Sequence, residues 1–471
     1  MDFSQLISSE PISIIKDAAQ RQGIETYVIG GFVRDQFLGR PSKDIDFVCV
    51  GNAIELAKGV AAGLGKEAKF SMFKTYGTAA IHWRGYELEF VGARKESYRE
   101  ESRNPEVSEG TLEDDQNRRD FTINALAISL NKENEGALLD PFDGERDLAR
   151  LLIRTPLDPK ITFSDDPLRI MRAIRFSSQL GFDIEPDTFD ALVEQKDRLK
   201  IVSQERITDE LNKIILSPKP SYGFKLLFVS GILELIFSEM HKLHGVQKVG
   251  KHTHKDNFYH TLEVLDNISK HTDDLWLRWA AILHDIAKPA TQRYHEKAGW
   301  TFHGHEDMGA RWVPKIFKRL KLPLNEKMKY VQKLVRLHLR PIALVKDHVT
   351  DSAIRRLLFD AGDDIEDLMT LCNADITSKN PDKVKRFMDN FVKVQEKMKE
   401  VEAHDHVRNF QPPISGEEIL ETFDIPPSKI IGDIKSEIKE AILDGRIQND
   451  HEEARKLMLE IGVRRKLSRR K

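Results

Sequence analysis

The sequence predicts an α+β protein in which a head with a small mixed β-sheet precedes a long, purely helical body. Between Thr26 and about Leu139, short β-type runs such as TYVIGG, DIDFVCV and YELEFVGA alternate with turns. Arg84-Gly85 separates two of these runs and predicts a hairpin turn. After about Pro167, apolar residues recur three or four positions apart, which is the period of a helix.

Composition limits the classes of protein to which the chain can belong. Its 471 residues are 40% hydrophobic and 32% charged, which is typical of a globular protein. Lys and Arg total 73 against 76 Asp and Glu, so the net charge of −3 excludes a globally basic nucleic-acid coat but leaves room for a basic groove. Two cysteines, Cys49 and Cys372, exclude a disulfide framework and a four-thiolate zinc site.

Targeting signals are not evident in the sequence. No apolar run approaches the roughly 18 residues that a membrane-spanning helix needs. The N-terminal segment MDFSQLISSEPISIIKD lacks the basic region of an export signal. We therefore expect a cytoplasmic protein without membrane association.

The change of period and two breaks in the helical region predict four segments. SPKPSYG and a cluster of His, Lys and Gly near residues 241–255 separate helices, and RRKLSRRK ends the chain with six basic residues. The segments are a head (1–155), a helical neck (156–235), a helical domain (236–405) and a C-terminal helical region with a basic tail (406–471).

The most informative stretch, VIGGFVRDQFLGRPSKDIDFVCV, combines a glycine turn with two acids on a strand. Gly30 and Gly31 follow a β-type run and leave room for a phosphate to approach the backbone, and Arg34 lies nearby. Asp44 and Asp46 fall on one face of the next strand because side chains alternate. Two such close carboxylates repel each other unless a cation such as Mg²⁺ neutralises them.

A third acid would complete a site for two metal ions, which can activate an attacking hydroxyl and stabilise a leaving phosphate. Glu87 and Glu89 share one face of a later strand, while Leu88 and Phe90 face the other way. From the residues alone, either glutamate can be the third carboxylate, and both can also be ordinary exposed side chains.

A helix rich in arginine is predicted to start at Asp166 and Pro167, with the aspartate as N-cap and the proline in the first turn. Arg169, Arg172 and Arg175 follow at steps of three. Cations near a helix N-terminus are unfavourable unless an anion is bound, and a polyphosphate would supply one. The alternative is that Asp166 only caps the helix and the arginines are solvated.

These motifs resemble those of the class II CCA-adding enzymes, the tRNA nucleotidyltransferases, and of bacterial poly(A) polymerases. Five motifs occur in the family's order, namely GGFVRDQFLGRPSKDID, RRDFTINALAISL, LLDPFDGERDLARLLIRT, DDPLRIMRAIRF and ERITDELNKIIL. The resemblance implies a nucleotidyltransferase-fold head and template-independent addition of C, C and A to tRNA 3′ ends from CTP and ATP by two-metal phosphoryl transfer.

The resemblance also implies roles for individual residues. Asp44 and Asp46 would hold Mg²⁺, and Glu89 would complete the acidic site. Asp166 and Arg169 would read the base edge, although Asp165 stands where the family usually has Glu. The remaining nucleotide-binding residues implied by the motifs are Gly30, Gly31, Arg34, Arg119, Asp120, Asn124, Arg172 and Arg175.

The helical domain resembles the HD-domain metal phosphohydrolases in its H…HD…D pattern. The matching residues are His260, His284, Asp285 and Asp375, with His303, His305 and His338 as further candidates. Imidazole and carboxylate ligands suit Mn, Fe, Co, Ni or Zn, with Mg²⁺ also compatible. The resemblance implies phosphatase or phosphodiesterase action on 2′,3′-cyclic or phosphorylated RNA ends.

Several alternatives stay open on the sequence alone. The chain can be a poly(A)-adding enzyme or one that adds only CC or only A. It can also be an HD phosphohydrolase whose head senses nucleotides, or an RNA-binding module without catalysis. The expected partners are tRNA, CTP and ATP, whereas the tRNA-binding surface, the HD metal and the oligomeric state are not predicted.

Overall fold

The structure is a computed structural model that describes residues 3–99, 102–246, 248–249, 252–253, 255–346, 350–378, 380–405, 408 and 410–468. The chain divides into two compact units, Met1–Ser238 and Glu239–Lys471, which are described separately below.

A mixed β-sheet forms the frame of the first unit. The strands of this unit are β1 (Glu25–Ile29), β2 (Asp44–Val50), β3 (Lys69–Phe73), β4 (Thr78–Trp83), β5 (Tyr86–Gly92), β6 (Arg94–Arg99), β7 (Ser102–Glu109), β8 (Ala127–Ser129), β9 (Leu138–Leu139), β10 (Leu152–Ile153) and β11 (Asp183–Ile184). Seven of them form one sheet in the order β3-β4-β5-β2-β1-β8-β9. β2 and β5 run parallel and the other neighbours antiparallel, so the mixed sheet predicted from the sequence is confirmed.

Local sequence explains the centre of this sheet. The hairpin predicted at Arg84-Gly85 is confirmed, since both residues have positive φ (47° and 80°) between β4 and β5, as a two-residue hairpin turn requires. Phe47 of β2 and Phe90 of β5 stack with ring centroids 5.0 Å apart in the buried layer. This apolar layer fixes the register of β2 against β5 and turns their polar side chains to the opposite face.

Helices cover the sheet and continue after it. Those of the first unit are α1 (Ser4–Ser8), α2 (Ile12–Gln22), α3 (Gly31–Phe37), α4 (Ala53–Leu64), α5 (Leu112–Asn117), α6 (Gly144–Ala149), α7 (Pro159–Asp165), α8 (Leu168–Leu180), α9 (Pro186–Gln195), α10 (Gln204–Ile215), α11 (Pro220–Val229) and α12 (Ile232–Ile236). The arginine-rich helix α8 begins slightly later than predicted, at Leu168, but the Asp166 carboxylate still accepts the N–H of Leu168 at 3.1 Å. The break predicted at SPKPSYG is shorter than expected because Pro220 starts α11.

The second unit is predominantly helical. Its helices, with the short α13 at the boundary, are α13 (Ser238–His241), α14 (Asn257–Ile268), α15 (Leu275–Leu283), α16 (Lys288–Thr291), α17 (His305–Arg319), α18 (Glu326–Leu337), α19 (Leu339–Lys346), α20 (Asp351–Ala361), α21 (Ile365–Ala374), α22 (Pro381–Asp405), α23 (Gly416–Phe423), α24 (Lys429–Leu443) and α25 (His451–Arg464). Two short hairpins, β12–β13 (Lys248–Val249 and His252–Thr253) and β14–β15 (Arg293–His295 and Gly299–Thr301), interrupt the helices. The helical body is confirmed, but its helical periodicity did not predict these hairpins or β11.

Candidate active site and metal centre

Four carboxylates share one face of the head sheet where β2 lies beside β5. In the parallel register, Asp44 is paired with Glu87 and Asp46 with Glu89. The side chains of these four residues alternate with buried apolar residues, so they project from the same face. Asp46 is half-buried and the other three are exposed. Either glutamate could contribute to a site on this face, but Glu89 is the one beside the more buried aspartate.

Burial and charge crowding act together on the two aspartates. The pKa of Asp46 is raised to about 6, first by burial and then by Asp44 and Glu89, while Arg119 opposes the rise. Burial also raises the pKa of Asp44, and Glu87 adds to the effect. A divalent cation would relieve this crowding, and oxygen ligands of this kind suit a hard ion such as Mg²⁺. The residues present therefore fit a metal site.

The glycine turn lies directly against this acidic face. Gly30 has a φ of 82° and donates its N–H to the carbonyl of Leu126 at 3.2 Å. A Cβ at this position would lie 3.1 Å from Nη1 of Arg119 and 3.3 Å from Oδ2 of Asp46. Both the backbone conformation and the lack of space therefore require glycine. Gly31 begins α3, with the guanidinium of Arg34 beside it.

A buried chain of polar side chains extends from the glycine turn to α8. Arg34 donates through Nη1 to Oδ1 of Asn124 at 2.8 Å, and Nδ2 of Asn124 donates to Oδ1 of Asp120 at 3.1 Å. Arg172 on α8 donates through Nε to Oδ2 of Asp120 at 2.7 Å. Burial by itself would raise the pKa of Asp120, but Arg172 and Asn124 lower it to about 2. Asp120 is thus ionised and links Arg172 to Asn124, which in turn binds Arg34.

Arg175, which lies one turn after Arg172 on α8, also has a carboxylate partner within the protein. Arg175 forms an ion pair with Glu210 at 2.6 Å, and its guanidinium lies 4.0 Å from the ring centroid of Phe176. Arg34 and Arg172 lie 5.3 and 5.4 Å from the same ring. The argument that the arginines of α8 need a bound anion is wrong for Arg172 and Arg175, because carboxylates of the protein already compensate them. Their contact with a nucleotide stays a prediction. Phe176, around which the three guanidinium groups gather, was not among the predicted site residues.

Asp115 is a second residue that the sequence analysis missed. Its side chain is fully buried and pairs with both Arg118 and Arg119, the latter through Nε and Nη2 at 3.0 Å each. Arg119 also donates to the carbonyl of Asn124 at 3.3 Å. The i to i+4 spacing of Asp115 and Arg119 at the end of α5 is the signal that could have indicated this pair.

Asp166 and Arg169, which are expected to read the base edge, are held by different kinds of contact. Asp166 is half-buried and forms an ion pair with Arg206 at 3.3 Å. Arg169 is 8% exposed and donates to two main-chain carbonyls, those of Thr162 at 3.2 Å and of Arg118. The guanidinium of Arg169 is consequently held in one plane by the backbone.

A second cluster of ligand-type side chains lies in the second unit. His260 is on α14, while His284, His338 and Asp375 cap the C-termini of α15, α18 and α21. These ends converge, and the cluster comprises His260, His284, Asp285, His305, His338 and Asp375. His305 and His338, proposed only as further candidates, thus lie with the four HD residues. The third candidate, His303, is exposed and lines a separate pocket with Arg293 and His295.

The protonation states of this cluster respond to strong local charges. Burial disfavours the charged form of His284, but Asp285 and Asp375 outweigh it and raise the pKa to about 10. Burial lowers the pKa of His338 to about 4. Nε2 of His284 is buried without a hydrogen bond of ordinary geometry in the described part of the chain, and it lies 3.2 Å from Oδ2 of Asp285, which also has Nζ of Lys288 at 2.5 Å. Imidazole and carboxylate donors with unused capacity fit a divalent metal ion.

Comparisons with known proteins agree with the division of these sites between two units. Family models match a Poly A polymerase head domain at residues 26–154, a probable RNA and SrmB-binding site of polymerase A at 181–243, and an HD domain at 257–379. The chain is 34% identical over 317 residues to the Multifunctional CCA protein of Nitrosococcus oceani, and the match covers 64% of this chain and 71% of that protein. The chain belongs to the tRNA nucleotidyltransferase family. The predicted family and enzyme class are thereby confirmed.

Other members of this family and solved structures give the same result. The A-adding tRNA nucleotidyltransferase of Deinococcus radiodurans is 32% identical over 351 residues, which are 72% of this chain and 77% of that protein. A tRNA nucleotidyltransferase solved with a primer tRNA and an incoming ATP analogue is 25% identical, with a TM-score of 0.57 over 81% of this chain and 99% of that one. The Bacillus stearothermophilus CCA-adding enzyme in complex with CTP shares the fold, with a TM-score of 0.69, 23% identity and 98% coverage of both chains.

Two further findings concern metal ions and membrane-spanning helices. Its nucleotidyltransferase and HD domains imply the use of divalent metal ions. Within the described ranges we find no helix that is both long and apolar enough to cross a membrane.

Proposed function

We propose that the chain completes tRNA 3′ ends by adding C, C and A from CTP and ATP. The observation that carries this proposal is the acidic face of β2 and β5 in contact with the Gly30 turn. In the proposed reaction, the RNA 3′-hydroxyl attacks the α-phosphorus of the nucleotide in line, and pyrophosphate leaves. Nucleotide sensing alone would not need a crowded acidic metal site.

The acidic face would hold Mg²⁺ through Asp44 and Asp46, with Glu89 as the third carboxylate. When bound, Mg²⁺ would lower the pKa of the 3′-hydroxyl and offset charge on the phosphate oxygens. Glu89 is favoured over Glu87 because it is paired with Asp46, the aspartate whose pKa is the more strongly raised. The role of the protein would be to hold these carboxylates in position, and no covalent bond between protein and nucleotide is proposed.

The nucleotide would occupy the space beside the glycine turn. Without side chains, Gly30 and Gly31 would leave room for a phosphate at the turn, where Arg34 and Arg119 supply positive charge. The N–H of Gly30 itself is donated to the carbonyl of Leu126. Asp120 cannot release a proton at neutral pH because it is already ionised, so its role is to orient neighbouring groups. Arg172, Asn124 and Arg175 extend this polar surface.

Asp166 and Arg169 would recognise the base edge of CTP or ATP. This proposal comes from the family motif, and the backbone contacts that orient Arg169 support it. Arg206 competes with a nucleotide for one oxygen of Asp166, so this ion pair would loosen when a base binds.

Relatives that add CCA and relatives that add only A match this chain to a similar degree, so the product has to be measured. Purified protein is given tRNA that lacks the whole CCA end, ends after the first C or ends after the second C, with CTP, ATP or both, and the products are resolved on a gel. Ordered addition of C, C and A supports the proposal. Addition of A only to the CC end would identify an A-adding enzyme, and long A tails a poly(A) polymerase.

We propose phosphohydrolase activity in the HD domain as a second function, supported by the buried His and Asp cluster. The assay measures metal-dependent release of phosphate from RNA ends and opening of 2′,3′-cyclic phosphates. His284→Ala should abolish this activity and leave nucleotide addition intact, whereas His303→Ala, at an exposed residue outside the cluster, should leave both intact. Unchanged hydrolysis in His284→Ala would contradict this second function.

A cytoplasmic location stays a prediction.

A further inference from the structure

The helical hairpin formed by α17 and α18 is strongly basic in an otherwise acidic protein. Residues 311–340 contain ten Lys and Arg and a single acid, Glu326, which gives this segment a net charge of +9. Because the whole chain has a net charge of −3, the other 441 residues together carry −12. Charge of one sign that is segregated in this way indicates a surface for a partner of the opposite sign.

The basic side chains of α17 lie on its outer face. Arg311, Lys315 and Lys318 are four and three positions apart, which places them on one side of the helix, and all three are exposed. The opposite side of α17 is buried and includes Val313 and Phe317. The three cations, called the basic stripe below, therefore project away from the packed side of the helix.

Carboxylates of the protein do not compensate the basic stripe. Within the residue ranges that the structure describes, none of its three side chains forms an ion pair, and Nε of Arg311 donates only to the main-chain carbonyl of Asp307, at 3.3 Å. By contrast, Arg172 and Arg175 of α8 each have a carboxylate partner. Like charges at neighbouring positions of a helix are destabilising, and a bound anion would relieve their repulsion.

Helix α18 adds further cations beside the stripe. The two helices run antiparallel, because Gln332 donates to a main-chain carbonyl of α17 at 2.7 Å and Arg336 pairs with Asp307 at 3.6 Å. Lys329 lies one turn before Gln332 on the same side of α18 and is 65% exposed, although it also pairs with Glu326. The basic surface thus continues from the stripe across the line where the two helices meet.

One end of this hairpin lies at the HD cluster. Helix α17 begins at His305 and α18 ends immediately before His338, and the Nε2 atoms of these two histidines are 3.3 Å apart. From His305 to Lys318 the helix rises about 20 Å, at about 1.5 Å per residue. A polyanion that lies along the stripe would therefore have one end beside the buried His and Asp cluster.

We propose that the outer face of α17 and α18 binds the sugar-phosphate backbone of a single-stranded RNA whose end lies at the HD cluster. This inference rests on the phosphohydrolase activity proposed for that cluster and adds the surface that holds its RNA substrate. Arg311, Lys315 and Lys318 would contact successive phosphates, which gives affinity without selecting a base sequence. The RNA-binding family model matches residues 181–243, so this surface lies outside the matched region.

The structure of α17 favours RNA over an anionic membrane as the partner. A helix that binds at a membrane surface inserts its apolar face between the lipids. The apolar face of α17 is buried in the domain, so only its charged face can meet a partner. Phosphates of an RNA strand need no apolar contact to bind such a face.

The first test measures salt-dependent RNA binding by the full-length protein. The probe is a fluorescein-labelled single-stranded RNA with a 3′-phosphate, and anisotropy is measured between about 50 and 200 mM KCl, with EDTA present to prevent hydrolysis. The triple variant Arg311→Gln, Lys315→Gln, Lys318→Gln should bind roughly 10- to 50-fold more weakly at about 0.15 M salt. The slope of log Kd against log[KCl] should fall by about 2, since each phosphate contact to a single strand contributes about 0.7.

A matched control removes three exposed cations of the same types from α22. Lys385→Gln, Arg386→Gln, Lys393→Gln changes the net charge of the same unit by the same amount. This control should keep the wild-type affinity and slope. Equal losses in the two triple variants would show that only net charge matters and would overturn the proposal, as would wild-type affinity in the α17 variant.

Chemical footprinting locates the RNA on the wild-type protein without any substitution. Lysines are acetylated with and without the RNA probe, and the modified positions are identified by mass spectrometry. Lys315 and Lys318 should be protected by RNA, whereas Lys393 should stay reactive. Protection of the first two lysines by vesicles of phosphatidylcholine and phosphatidylserine but not by RNA would identify a membrane-binding surface and overturn the RNA assignment.

Hydrolysis assays separate this surface from the second proposed function. The α17 triple variant should raise KM for RNA that ends in a 2′,3′-cyclic phosphate and leave hydrolysis of 2′,3′-cyclic AMP, which has no adjoining phosphates, at the wild-type rate. An unchanged KM for the RNA would contradict the surface. If the wild type hydrolyses neither substrate but RNA still protects Lys315 and Lys318, the phosphohydrolase activity fails and the RNA-binding surface stands.

Discussion

Replacing Asp120 by Asn should destabilise the first unit because it removes the charge at the centre of the buried polar network. The pKa of Asp120 is lowered from 3.8 to about 2, which corresponds to about 2–3 kcal/mol of stabilisation at neutral pH. Removing one partner of a buried ion pair typically destabilises by about 3–5 kcal/mol. Arg172, left without its carboxylate, would contribute most of this effect. We therefore expect a loss of about 3 kcal/mol in the free energy of unfolding.

The measurement follows urea denaturation by hydrogen–deuterium exchange of peptides from the first unit, because this method separates it from the second. Asp197→Asn is the matched control, since Asp197 forms an ion pair with Lys200 in the same unit but is 64% exposed. The control should not change the urea midpoint measurably. If Asp120→Asn has the wild-type midpoint at pH 7, the network does not stabilise the fold and the reasoning is refuted.

The same variant has a defined pH dependence. Because the folded-state pKa of Asp120 lies below its unfolded value of 3.8, the stabilisation is complete above that value and is lost as the pH falls toward about 2. The difference in unfolding free energy between wild type and Asp120→Asn should thus be constant from pH 7 to about pH 5 and shrink below pH 4. A difference that grows on acidification would contradict the assigned direction.

Three further predictions concern the acidic face. Gly30→Ala should lower kcat at least about 100-fold, because the added Cβ would displace Arg119 and Asp46, and small misplacements at a reacting centre have effects of that size. Single-turnover addition of AMP measures this rate, and a wild-type rate would contradict the prediction. Glu89→Gln should abolish most activity while Glu87→Gln, on the same face of the same strand, retains most of it; equal losses would remove the preference for Glu89. Because the pKa of Asp46 is raised to about 6, protons should compete with Mg²⁺ below that pH. The Mg²⁺ concentration that gives the half-maximal rate should then rise up to about 10-fold per pH unit. The same half-maximal Mg²⁺ concentration at pH 7 and pH 5 would contradict this.

The sequence predicted those parts of the head in which structure and chemistry are local. Asp44 and Asp46 are two residues apart on one strand, so their common face follows from strand geometry. The pairing of Asp46 with Glu89 depends on the parallel register of two strands far apart in sequence, and no local pattern specifies it. The resemblance favoured Glu89, and the register now gives a physical reason for the same preference.

Long-range electrostatics explains what the sequence did not predict on α8. The dipole argument treated Arg172 and Arg175 as uncompensated cations, but Asp120 is 52 residues from Arg172 and approaches it only after folding. Glu210 reaches Arg175 from α10 in the same way. Arginine spacing on a helix indicates which face carries the charge, whereas the identity of the neutralising anion depends on tertiary packing.

The HD cluster shows the same division between local pattern and folded geometry. His303 and His305 are two residues apart and equally plausible as ligands in the sequence, yet only His305 begins α17, and there Nδ1 meets the carbonyl of Phe302. His338 follows the last residue of α18, where a similar contact to Val335 fixes the ring. Because each ring is held by the carbonyl three residues earlier, a helix terminus can aim an imidazole at a shared point. Several histidines at such termini are therefore better evidence for a metal centre than their spacing in the sequence.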